Sequence, residues 1–91
     1  MLAAKYSVSG VATLVLDSIG SDGNYPRAAL IRNVTAATTT AYIGGATVDA
    51  TNGFPLDATT PSVEVVLDPG EVVYCITGGG AVVINVLRSG F

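Results

Sequence analysis

The sequence predicts an all-β fold: a single small antiparallel β-sandwich or barrel, jelly-roll-like, of about six or seven short strands. Three observations predict it. Apolar residues recur with period two or in short runs, and turn-forming Gly, Pro, Asn and Asp punctuate the chain about every eight to twelve residues. No stretch keeps a helical i, i+3, i+4, i+7 stripe for more than about one turn. With 91 residues there is room for one hydrophobic core, so residues 1–91 are expected to form one β domain.

Residues 11–16 (VATLVL) are apolar and β-branched enough for a strand, and they end at DSIGSDGNYP, residues 17–26, a run of turn and loop formers. Strands are expected next at 27–34 (RAALIRNV) and 38–43 (TTTAYI), the second closed by Gly44-Gly45, and a hairpin is expected between them. The segment 46–61 contains Asn52-Gly53, Pro55 and Pro61, which exclude a continuous central strand. It reads as a connection anchored by Val48, Phe54 and Leu56.

Beyond Pro61 the alternation sharpens. Val63, Val65 and Leu67 alternate with Ser62, Glu64 and Val66, and Asp68-Pro69-Gly70-Glu71 supplies a turn in which proline presets φ. In 72–77, Val72, Tyr74 and Ile76 share one face and Val73, Cys75 and Thr77 the other. Gly78-Gly79-Gly80 then turns the chain into 81–88, with Val82, Ile84 and Val86 on one face. These last three strands are expected to form an antiparallel meander. Residues 1–10 and 89–91 are expected to be terminal arms, the second ending in Phe91 on a glycine hinge.

The composition is 49% hydrophobic and only 12% charged, about half the charged fraction usual for a soluble domain. Much of the exterior must therefore be uncharged, as in a subunit whose faces are covered by neighbours. A core of this size is marginal on its own. One cysteine and no histidine leave neither a disulfide nor an ordinary zinc site to reinforce it, which favours association. The formal net charge is −3, with Lys5, Arg27, Arg32 and Arg88 scattered along the chain; nucleic acid is not an expected partner, because phosphate binding needs a clustered basic face. The apolar runs are too short to span a bilayer as a helix, and MLAAKYSVSG lacks the charged start and long apolar core of a signal peptide, so no membrane partner and synthesis in a cytosol are expected. The lone Cys75 fits a reducing compartment.

Without histidine, Ser-His-Asp, Cys-His and His-based metal chemistry are excluded. The remaining candidates are weak. Asp68 and Glu71 flank a Pro-Gly turn and read as solvated turn residues. Asp17, Asp22 and Asn24 lack the ligand pattern and terminal glutamate of a calcium loop. The glycine triplet has no following Lys-Ser/Thr and reads as a hairpin turn, not a phosphate cradle. Cys75 lies in an apolar strand and reads as a buried, inert thiol. Asn33-Val34-Thr35 matches a glycosylation sequon, a frequent chance match. Tyr6, Tyr25, Tyr42 and Tyr74 could contribute to a sugar-stacking platform, although strand tyrosines more often pack against neighbours. The expectation is a non-enzyme with no catalytic, cofactor or metal residues.

The stretch IRNVTAATTTAYIGGATVDATNGFPLDATTPSVEVVLDPGEVVYCITGGGAVVINVLRSG carries a recognisable order of marks: Asn33, Tyr42 to Gly45, Val48, Asn52 to Leu56, Pro69 to Glu71, Val73-Tyr74 and Val82 to Leu87. In that order it resembles a type of small phage-encoded virion structural protein, over about the last two thirds of the chain; the first third carries no such marks. The resemblance implies a capsid decoration or cement subunit on a bacteriophage head. It further implies a homo-oligomer, a trimer, partnered by the major capsid protein and located on the virion surface after synthesis in the host cytoplasm. Phe91, Tyr42 and Phe54 are the candidate interface residues. The competing expectation is a tail or surface carbohydrate-binding module for host attachment.

Overall fold

The computed structural model describes residues 2–17, 27–67 and 71–88. They form eight strands: β1 (Leu2–Val8), β2 (Thr13–Asp17), β3 (Arg27–Asn33), β4 (Ala41–Gly44), β5 (Phe54–Leu56), β6 (Ser62–Leu67), β7 (Val72–Thr77) and β8 (Val82–Arg88). One sheet has the order β1-β8-β3-β6 and the other β2-β7-β4-β5. Every pairing is antiparallel.

This order has a simple generator. Strand β1 pairs with β8, β2 with β7, β3 with β6 and β4 with β5, as if one long hairpin were rolled around a barrel axis. The rolling adds the contacts β3·β8 and β4·β7. The result is an eight-stranded jelly-roll sandwich. All consecutive connections except β4 to β5 pass from one sheet to the other.

The predicted fold class is thus the observed one, while the local pairing differs in several places. β3 and β4, β6 and β7, and β7 and β8 do not form the expected hairpin and meander, because the two strands of each pair lie in different sheets. The physical reason lies in the apolar faces. A flat β6-β7-β8 meander would align three apolar faces with nothing to cover them. Arching between sheets instead sets Val63, Val65 and Leu67 on β6, and Val82, Ile84 and Val86 on β8, across the core from Val73 and Cys75 on β7.

Residues 2–8 are no arm. They form β1, paired from Leu2↔Arg88 to Val8↔Val82. Its alternation is muted in the sequence because small residues occupy both faces: Ala4, Tyr6 and Val8 are turned inward relative to the exposed Ala3, Lys5 and Ser7. The first predicted strand, 11–16, starts two residues late, at Thr13, and Val11 is left 72% exposed. A bulge between Leu14 and Leu16 breaks the alternation of β2, so the consecutive Val15 and Leu16 are both buried while Leu14 faces out.

The segment 46–61 is the anticipated connection, with a three-residue edge strand in it. Proline is tolerated at its centre because β5 has a partner on one side only. Val48 and Leu56 are buried anchors as expected; Phe54 is not, being 50% exposed. Gly53 passes tightly over β4, where an added Cβ would lie 2.6 Å from Tyr42 Cβ and 2.8 Å from Val48 Cγ2. Gly79 adopts φ of 146°, a region that disfavours L side chains. The hydroxyl of the buried Thr77 stabilises that turn, donating to the Gly80 carbonyl and accepting from the Gly79 N–H.

Asn33 is the buried polar centre of the sandwich, 1% exposed. Its Nδ2 donates to the carbonyls of Thr39 and Leu56, both at 2.9 Å. Its Oδ1 accepts from the Thr35 N–H at 3.0 Å, and its own N–H donates to the Pro61 carbonyl at 2.8 Å. One side chain thereby fixes the β3 to β4 crossing and the end of β5 together. The sequon asparagine is consumed by structure, since both amide hydrogens are engaged inside the fold.

Asn33→Ala leaves two carbonyls and one N–H without their partner and should lower the unfolding free energy by about 3 kcal/mol. Asn33→Asp should be no milder, because it sets a carboxylate against two carbonyl oxygens. Urea melts of the three proteins check both. Gly53→Ala and Gly79→Ala should each cost about 1–3 kcal/mol, the first through steric conflict and the second through backbone strain. Gly45→Ala, with open space around its Cβ, should stay within about 0.5 kcal/mol of the parent.

Candidate functional site

The candidate site is a surface, and the register fixes which residues share it. On the outer face of the β2-β7-β4-β5 sheet, Leu14 lies opposite Tyr74 and Tyr74 opposite Gly44, while Ile76 lies opposite Tyr42 and Tyr42 opposite Pro55. Val72 continues the same face. None of these side chains is charged. Leu14 and Val72 are exposed, and Tyr42, Tyr74 and Ile76 are half-buried.

The outer face of the other sheet is mixed. One cross-strand row runs Ala3, Leu87, Leu30, Glu64, and the next runs Lys5, Asn85, Arg32, Ser62. Part of it is concave, a groove of about 440 Å³ floored by β1, β8 and β3 and lined by Ala3, Lys5, Leu30, Arg32, Asn85 and Leu87 among others. The side chains of Lys5 and Arg32 have no ion-pair or hydrogen-bond partner among the described residues. In the linear sequence these two cations look scattered; strand pairing brings them to either side of Asn85. Finding them would have required the β1-β8-β3 register, which no local pattern encodes.

A second groove, of about 380 Å³, opens where the edge strands β5 and β6 leave the sandwich unclosed. Phe54 lines it with Val63, Val65, Val66 and Val72. Of the three candidate interface residues, Tyr42 and Phe54 are therefore not brought together: Tyr42 lies on the outer sheet face, and Phe54, paired with Ile43, points to the opposite side of the same sheet at its edge. Phe91 lies outside the described residues, as do Tyr25 and the 18–26 and 68–70 loop positions. Tyr42 and Tyr74 are diagonal neighbours on one face, within mutual reach of aromatic rings. Tyr6 packs against the core instead.

Cys75 is wholly buried, and desolvation pushes its thiol up from 9.0 to about 11, against a smaller opposing effect of backbone hydrogen bonds from Ile76 and Tyr42. A thiol so protonated is no nucleophile at neutral pH. The exposed Asp49 carboxyl is held below its ordinary value, first by the Thr51 hydroxyl and then by the backbone N–H groups of Thr51 and Asn52. Asp57 likewise caps its loop, accepting from the N–H groups of Thr59 and Thr60. Both acids use Oδ1 for these bonds. Among the described residues no three acidic, histidine or cysteine side chains gather where they could hold a metal ion.

No protein-family model, curated protein or solved structure matches this chain.

The thiol supplies a check with a defined sign. Its folded pKa is raised, so its contribution to stability is complete below about 9 and is lost as pH rises toward about 11. Cys75→Ala should be less stable by roughly 1–2 kcal/mol at neutral pH, and its deficit relative to the parent should shrink between those two pH values. Parallel denaturant melts measure the difference. A thiol reagent should modify the parent only as fast as it unfolds.

Proposed function

We propose that this protein is a structural virion subunit: a capsid decoration protein that stabilises a phage head by associating, as a symmetric trimer, with the major capsid protein. The observation that carries the reading is the apolar and aromatic stretch of outer face built by Leu14, Val72, Tyr74, Ile76, Tyr42 and Pro55, with the one acid Asp17 in register with Val72 at its end. Association through such a face removes apolar area from water without stripping the hydration from a charge. Low overall charge supports the same reading, as does the jelly-roll order, an architecture used by viral capsid and lectin domains alike. That support is one of architecture, and function resides in the surface. The work done is mechanical: area buried across seams between shell subunits adds binding free energy to the intact shell. No catalytic step and no cofactor enter it.

One observation favours a second reading. Tyr42 and Tyr74 together make a small aromatic platform, the kind of surface on which a sugar ring stacks, as a host-attachment module would use.

The discriminating measurement is co-sedimentation of the purified chain with phage heads that lack it. The expected result is saturable binding at a fixed copy number per shell, with bound shells surviving higher temperature. Val72→Lys should leave folding within about 0.5 kcal/mol of the parent and weaken shell binding by about tenfold or more. A chain that ignores heads while cell-wall glycans quench its tyrosine fluorescence, with the quenching abolished in Tyr42→Ala, would establish the attachment reading instead.

A further inference from the structure

We infer that the groove on the β1-β8-β3 face is the acceptor half of a head-to-tail contact between copies of this chain, and that the donor half is the 49–57 loop of the next copy. The inference rests on the proposed self-association and identifies its surfaces. Its ground is a match of two kinds at once. The groove offers cations, Lys5 and Arg32, around the Asn85 amide, beside an apolar row of Leu87 and Leu30. The 49–57 segment, β5 and the loop before it, offers the complement: Phe54, half exposed at the sheet edge, between the acids Asp49 and Asp57 in the chain.

Both acids are preorganised for the role. Each is held through Oδ1 by its own loop, and those bonds leave Oδ2 out of use. The match cannot be made within one molecule, because the groove is on the outer face of one sheet and Phe54 is at the edge of the other. Pairing two grooves about a twofold axis would bring two Lys-Arg rows together, which electrostatics opposes. A contact between unlike patches is heterologous, and with a suitable rotation it closes into a ring. A trimer is the ring proposed above. The acid on the β6 side of the face, Glu64, is opposite Leu30 and diagonal to Arg32, yet it makes no ion pair with Arg32 among the described residues, so two cations face one acid around the groove.

The test uses the whole chain. Sedimentation at tens of micromolar should give a trimer that weakens with salt. Lys5→Glu with Arg32→Glu should weaken association by about tenfold or more. Asp49→Asn with Asp57→Asn keeps an Oδ1 acceptor for each loop while removing its charge, so it should weaken association by about tenfold or more while the chain still melts cooperatively with at most a small drop in melting temperature, the carboxylate's stronger hold on its own loop being all that is lost. A Phe54→Cys, Leu87→Cys double variant should, on oxidation, give a reducible ladder of dimers and trimers, because residues 54 and 87 can meet only between copies. A trimer indifferent to every one of these changes, and a double variant that forms no ladder, would overturn the contact and leave the decoration reading standing. A chain that is monomeric yet binds shells would do the same. A monomer that binds no shell would remove both.

Discussion

The buried amide of Asn33 is the interaction on which the rest of the sandwich depends. A jelly roll has few local constraints, since nearly every turn throws the chain from one sheet to the other, and each crossing leaves backbone groups near the core that need partners. At the end of β3, one side chain supplies three of those partnerships, reaching Thr39 in the crossing, Leu56 on β5 and Thr35 beside it. The neighbouring backbone completes the junction: Val34 donates to the Val83 carbonyl and Val83 to the Thr35 hydroxyl, which ties the same crossing to β8. Strands from both sheets thus converge on one amide. A leucine there would fit the volume better than the chemistry, because the carbonyls it faced would have no donor.

The apolar core follows from that frame. Leu16, Ile31, Leu56 and Ile84 are fully buried side chains drawn from four strands in both sheets, and each contributes roughly 1.5–3 kcal/mol by leaving water. The bulge in β2 is what lets Val15 and Leu16 both join them. With only 12% of the residues charged, the surface has little charge to distribute, and the outer face of the β2-β7-β4-β5 sheet is where this shows most plainly.

How much of this was legible in the sequence depends on whether the information was local. The alternation of Val63, Val65, Leu67 and of Val82, Ile84, Val86 identified both strand and buried face correctly, because side chains of a strand alternate whatever the partner. Cys75 was legible as buried for the same reason. The Gly78 to Gly80 turn was visible as a turn but not as an arch, since glycine permits both and only the partner sheet decides. β1 was missed because Ala3 and Ala4 carry almost no contrast between its faces. The Lys5-Asn85-Arg32 row was invisible in principle: it joins residues from three strands that meet only after the roll is closed. Tyr42 and Phe54 were both plausible interface residues, yet pairing with the adjacent β-strand sends them to opposite sides of one sheet.

The nested pairing also sets an order in time. Ala41 meets Leu56, Ala29 meets Val65, Thr13 meets Cys75 and Leu2 meets Arg88, so the loop that must be closed lengthens with every step outward from β4 and β5. The entropic penalty of closure grows with loop length, and chains dominated by such distant contacts fold slowly. β1 is synthesised before its partner β8 and must wait, unpaired, until nearly all the other strands have emerged. Every position is open in that interval, and between Leu2 and Val8 the segment is mostly small or polar, with a charge, Lys5, near its centre. The muted alternation that hides β1 from a reader of the sequence is therefore also what keeps a waiting strand from seizing the wrong neighbour.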